Sequence, residues 1–241
     1  MRRIRLLAAV LLLAVPVLAL SAARAEEGGG QAVFRSAGQV VTLGRYEQDG
    51  NPGNVPEPVE WIILEMSEGR CLLVSRYALD VKPYHTESAD ITWEQSFLRG
   101  WLNDGFLNEA FNDEERRAIL LADVDNSAAQ GFGGYSTKGG NTTADKVFLL
   151  SWAEADLYFP GVMGKICAPT AYALSKSPWT SRSYTAADGK PACSWWLRSP
   201  GFEQSEAIRV GNIAYRRDDV SVTYNCVRPA LWVSLDADVL K

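Results

Sequence analysis

Strand-forming runs bracket a block of helix starts in this chain and never alternate with them. VVTLGRY (40–46), VEWIILEM (59–66) and RCLLVSRYAL (70–79) are short and rich in β-branched and apolar residues, and NPGNVPEP and SEGR punctuate them as turns. The pair 59–66 and 70–76 predicts a hairpin. Helix starts follow. Thr92 with Gln95, Asn112 with Glu115 and Ser151 with Glu154 each place a hydroxyl or amide three residues before a Glu or Gln, the spacing of a capping box. Phe97, Leu98, Trp101 and Leu102 form an amphipathic stripe after the first of these, and a short second helix is expected through 106–111. VFLLS (147–151) reads as a strand. The last third returns to strands: SWWLRS (194–199), AIRVG, a Gly211-Asn212 turn, IAYRR, VSV and CVRPALWVSL (226–235). Strands, helices, then strands without βαβ alternation predict an α+β domain with a mostly antiparallel sheet and a few short helices.

The first 25 residues have the layout of a cleavable secretory signal. Arg2, Arg3 and Arg5 precede an apolar run from Leu6 to Leu20, and Ala23-Arg24-Ala25 supplies small residues where signal peptidase cuts. The apolar run is short for a membrane span, which needs about 20 residues. Residues 26–37 are Gly-rich and polar and read as a flexible leader, which leaves 38–241 as one domain. Without the four arginines of the signal, 20 basic side chains face 29 acidic ones, a net charge of −9. Nucleic acids and anionic membranes need a basic footprint, so neither is an expected partner after signal cleavage. The expected location is periplasmic or extracellular.

Export makes disulfides plausible for Cys71, Cys167, Cys193 and Cys226, with three possible pairings that spacing does not separate. Buried free thiols are the alternative. There is no CxxC pair and a single histidine, His85, so no metal site is expected.

Two tryptophans stand side by side in WWLRSPG. In a strand they point to opposite faces, with Trp196 and Arg198 on one and Trp195 and Leu197 on the other. Arginine and indole could then stack across neighbouring strands, as packing or as the floor of a site. Two irregular stretches stand out besides: 126–145, with five glycines, and 175–192, with Trp179 and Tyr184. Long loops in compact domains are uncommon and frequently functional, though a plain surface excursion is the simpler alternative.

TWEQSFLRGWLNDGFLNEAF, CAPTAYA, WWLRSPG and VRPALWV, in that order, resemble a family of bacterial domains of unknown function found in exported and cell-surface proteins. The similarity runs from about Gly38 to Val233. That family is similar in architecture to C-type-lectin-like domains, which also occur in relatives of formylglycine-generating enzymes. The resemblance implies that the tryptophan strand and the last arginine-bearing strand share the central sheet, and Cys226, where the pattern often has a small residue, invites a disulfide.

Chemistry is harder to find. His85 has no GxSxG nucleophile elbow beside it. Formylglycine-generating enzymes hold copper with two close cysteines, whereas Cys193 stands 26 residues after Cys167 and 33 before Cys226, so no cofactor is implied. Glu87/Asp90, Glu114/Glu115 and Asp218/Asp219 are acid pairs, but a sequence does not show two carboxylates facing across a cleft, and the last two pairs have structural roles available at a helix start and a turn. Trp101-Leu102-Asn103-Asp104 and Glu57-Pro58 echo calcium motifs of lectins but fall on a helix and a linker. The chain is therefore read as a non-catalytic binding or adhesion module for a glycan or a cell-surface protein, with Trp179, Tyr184, Trp196 and Arg198 as candidate ligand-binding residues. An exported hydrolase of cell-wall or glycan material is the alternative, and a structural envelope domain a third possibility.

Overall fold

The computed structural model describes residues 36–177, 191–211 and 214–241. Residues 1–25 and most of the leader, Trp179, Tyr184 and Asn212 lie outside the described residues. β1 (Val40–Tyr46) pairs antiparallel with β2 (Glu57–Ser67), which turns into β3 (Arg70–Ser75). Val59, Trp61 and Ile63 alternate inward along β2, as the period of two requires. The expected hairpin is present. Its two turn residues, Glu68 and Gly69, have φ of 51° and 74°, the left-handed pair that matches strand twist in a two-residue turn. β4 (Asp80–Val81) follows.

The helical block is a string of short pieces. α1 (Phe97–Trp101) runs through a π-helical turn, Leu102–Phe106, into α2 (Leu107–Ala110), and α3 (Asp113–Ala118) comes next. The first cap differs from expectation. Thr92 opens only a 3₁₀ turn without capping it, and Ser96 caps α1 by accepting from Arg99 N. The other two capping boxes form as read, Asn112 with Glu115 on α3 and Ser151 with Glu154 on α4 (Trp152–Tyr158). Between them β5 (Ala122–Val124) pairs with β6 (Thr143–Asp145), so 125–142 is the long connection of a hairpin. VFLLS contributes only β7 (Val147–Phe148), because the carbonyls of Leu149 and Leu150 turn to Arg198 instead of a ladder. α5 (Gly161–Lys165) and α6 (Ala171–Lys176) close the block.

β8 (Trp195–Pro200), β9 (Glu206–Val210) and β10 (Tyr215–Asp219) form an antiparallel meander. VSV adds no strand, since Val220 and Ser221 make the turn after β10. CVRPALWVSL is not continuous either. β11 (Cys226–Val227) lies parallel to β8 and antiparallel to β4, whereas β12 (Ala230–Ser234) joins β3 and β7. Pro229 lacks the N–H a continuous ladder needs, and the chain changes sheet there. The result is an α+β fold with two five-stranded sheets, ordered β1-β2-β3-β12-β7 and β10-β9-β8-β11-β4, antiparallel but for β8–β11. The tryptophan strand and the first piece of the arginine-bearing segment are neighbours, as the resemblance implies, while the second piece belongs to the other sheet. One apolar core takes side chains from both sheets and from α1, α2 and α4. No helix among the described residues is long and apolar enough to cross a membrane.

Candidate functional site

Both tryptophans of the pair are at 0% exposure, as are Trp61 and, at 1%, Trp93. A buried indole N–H needs an acceptor. Trp195 donates to Lys165 O and Trp196 to Lys82 O, each at 3.0 Å, while Trp61 donates to Leu43 O and Trp93 to Asp145. Trp196 lies edge-on to Tyr84 at 5.9 Å and has no face left for a ligand. Its expected place in a binding surface is therefore corrected: it is core. Guanidinium does stack on indole, but on the other tryptophan. Arg228, itself buried, lies 4.9 Å from the Trp195 ring and 4.8 Å from Phe159.

Arg198 is likewise internal. A guanidinium has five N–H donors, and here each has an acceptor. Nε donates to Asn126 Oδ1, Nη1 to Leu149 O and Glu154 Oε2, and Nη2 to Asp125 O at 2.9 Å and Glu154 Oε1 at 2.8 Å. No donor remains for a ligand, so Arg198 acts as the bolt between β8, the capping-box glutamate of α4 and the start of the β5–β6 loop.

That bolt changes the meaning of 126–145. The loop is fastened along its length. Ser199 donates to Gln130 O, Thr137 to Gly201 O, and Asn126 to Asn141 O and Thr143, while Gln204 and Lys138 exchange hydrogen bonds. Backbones approach so closely that a Cβ on Gly139 would stand 2.0 Å from Asn126 O, so only glycine fits. A small pocket of about 20 Å³ lies under the loop, lined by Asn126, Tyr135, Thr137 and Arg198 among others. That is room for a water molecule, not a ligand. Beside it an open cleft of about 460 Å³ runs along Ser127, Tyr135, Ser136, Lys138 and Asn141.

An exposed aromatic surface lies here, on residues the sequence reading did not single out. Tyr215, Trp152, Phe132, Tyr135 and Phe202 form an unbroken chain of rings with successive centroids 5.8, 5.3, 5.0 and 5.6 Å apart. Phe132 is 39% exposed and Phe202 53%, and the other three are half-buried. The four elements that bring them together are the β5–β6 loop, helix α4, the β8–β9 turn and strand β10. Arg217 lies over the Phe202 ring at 5.6 Å and Lys165 over Tyr215 at 5.1 Å. Burial and the Asp156 carboxylate raise the Tyr215 hydroxyl well above the usual tyrosine range, so it stays neutral. The available signal was a Phe-x-x-Tyr in a glycine-rich loop and a Phe directly after WWLRSPG, but no periodicity links them.

The remaining candidates have internal duties. His85 Nδ1 accepts from Phe97 N at the start of α1. Glu115 holds its own helix start and accepts from Gly44 N. Asp218 takes Arg209 and Asn225, and Asp219 takes Ser88 and Ser221. Asn103 bolts the helix to Val147 through both ends of its amide. Glu47, Asp49 and Glu57 bring carboxylate oxygens within 4.8 Å of one another, but those oxygens accept backbone N–H groups of residues 48–51. Asp49 is held below the usual carboxylate range, chiefly by Asn51 N–H. All four cysteines are buried, and none forms a disulfide in the structure.

Comparison with curated proteins and with solved structures finds no match. A family model does match, across residues 68–235, and it takes in α1 to α6, the tryptophan strand, the Arg198 bolt and the whole ring chain. On that match the chain belongs to the family described as Domain of unknown function (DUF6273).

Proposed function

We propose that this protein is an exported, non-catalytic binding module of C-type-lectin-like architecture, and that it engages a glycan along the Phe132–Tyr135–Phe202 rim. The observation that carries this is a pair of exposed phenyl rings joined through Tyr135 to a loop that Arg198 fastens in place. A rigid ring offers apolar area at low entropy cost. The cleft beside it presents Ser127, Ser136, Lys138 and Asn141, polar groups suited to sugar hydroxyls while the rings cover an apolar sugar face. The test is binding of residues 26–241 to a glycan and cell-wall array, with and without a chelator. Selective binding that survives chelation and weakens at least about tenfold in Phe132→Ala/Phe202→Ala, ~1.4 kcal/mol, supports the reading. No binding, or binding indifferent to both rings, overturns it, and capture of a cell-surface protein by the same rim would replace glycan by protein.

An exported hydrolase has one observation in its favour. Glu109 lines a groove of about 690 Å³, and partial burial together with Asp80 raises its carboxyl above the usual range. A glycosidase needs a second carboxylate across the cleft. Asp80 is buried and taken by Tyr46 Oη, Val81 N and Lys82, so it is a poor partner. Hydrolysis of cell-wall fragments lost in Glu109→Gln would restore this reading.

A further inference from the structure

Three of the four cysteines, distant in sequence, are brought into a line by the fold. Cys167 and Cys193 are a directly opposed antiparallel pair, and Cys193 N donates to Cys167 O at 2.9 Å. The Cys167 thiol donates to Arg76 O at 3.6 Å and Ala168 O at 3.5 Å, and the two thiols lie close enough to act on one another electrostatically. Opposed antiparallel residues have Cα atoms roughly 4.5–5.5 Å apart, inside the ~4.4–6.8 Å span of a disulfide. Cys226 stands on the other side of Cys193. Its thiol also acts on that of Cys193 electrostatically, but its backbone is offset, with N–H donating to Ser194 O and Trp195 as its parallel partner. Cys71 lies on β3, in the other sheet.

Arg228 sets the local charge. Its Nε donates to Ser75 O, while Nη1 has no hydrogen-bond partner, and its guanidinium acts on both Cys167 and Cys193. A buried cation beside the sulfurs opposes a bound metal ion. The three sulfurs also do not all lie within 4.8 Å of one another. The same cation favours the thiolate that attacks in disulfide exchange. Burial acts against it and holds both thiols well above their ordinary range in the folded chain.

We propose that Cys167 and Cys193 close into a disulfide that ties together the two ends of segment 168–192, with Cys226 left beside it as a free thiol. The Cys193 thiolate attacks one sulfur of an external disulfide and expels one thiolate. The Cys167 thiolate then attacks the Cys193 sulfur of the mixed disulfide and expels the second. The two cysteine protons go to the two departing thiolates, so the external disulfide is reduced to two thiols as the pair is oxidised. Cys167 and Cys193 are 2% and 1% exposed, so the oxidant reaches them as the chain folds.

The test uses the full chain refolded with glutathione disulfide, denatured with an alkylating reagent and mapped by mass spectrometry. The expected result is two labels, on Cys71 and Cys226, and a linked peptide pair carrying Cys167 and Cys193. Reduction before labelling then gives four labels, and the melting temperature of the reduced protein falls by about 5–10 °C. The link persists in Cys226→Ser. Four labels without reduction, a Cys193–Cys226 link, or a link between chains overturns the proposal.

Discussion

The tryptophan strand and Phe202 of the aromatic rim are separated by only a few residues of sequence, yet they put aromatic side chains to opposite uses. In β8 every polar atom of Trp195, Trp196 and Arg198 is consumed internally, and the side chains are at or below 2% exposure. One turn later Phe202 leaves half its ring in solvent, in contact with Tyr135 and under Arg217. The conspicuous motif is architecture, and its inconspicuous neighbour is surface. The lesson is that bulk and charge in a motif point to packing as readily as to recognition, and only the count of unspent donors and open faces tells them apart.

The contrast can be broken most forcefully at Arg198. Arg198→Ala leaves Glu154 and the Asp125 and Leu149 carbonyls without their donor, and a loss of about 3–5 kcal/mol is expected in denaturant unfolding. A loss under ~1 kcal/mol would mean the bolt is dispensable. Trp196→Ala should cost about 3–5 kcal/mol through the cavity it opens, measured the same way. Gly139→Ala sharpens the picture at the loop. Its Cβ meets a backbone oxygen, so a cost of about 1–3 kcal/mol is expected, together with faster amide exchange confined to 126–141. Phe202→Ala belongs to the other class, with stability changed by less than about 1 kcal/mol while ligand binding falls. The smallest effect concerns pH. The Ser127 N–H holds the Asp125 carboxyl below the usual aspartate range. A depressed carboxylate contributes stability that is present above its unfolded value and lost as pH falls through its folded one. A small loosening of the loop is therefore expected below about pH 3.9, read by amide exchange, and it should vanish in Asp125→Asn.

Much of the local structure was legible. The Glu68-Gly69 hairpin and two capping boxes follow from side-chain chemistry that acts over three or four residues. Thr92 misled because Ser96, four residues on, offers the same chemistry and only one of them can stand at the start of the turn that packs. The sheet change at Pro229 was also written in the chain, although as a missing N–H inside a run that otherwise reads as one strand. The site was not legible. Phe132, Trp152, Phe202 and Tyr215 lie on four different elements, and their contact is a product of two loops and a strand meeting one helix.

By itself the sequence determined what depends on neighbours along the chain: the order of strands and helices, two helix starts, the hairpin turn, and the α+β class that follows when strand runs enclose helices. Tertiary structure alone decided which charged and aromatic groups were spent on one another. Glu154 caps its own helix and also holds Arg198 from 44 residues away, and Arg228 lies over Trp195 where Trp196 was the equal candidate on paper. Burial is set by what packs from a distance, and a side chain's availability for a ligand is what that packing leaves over.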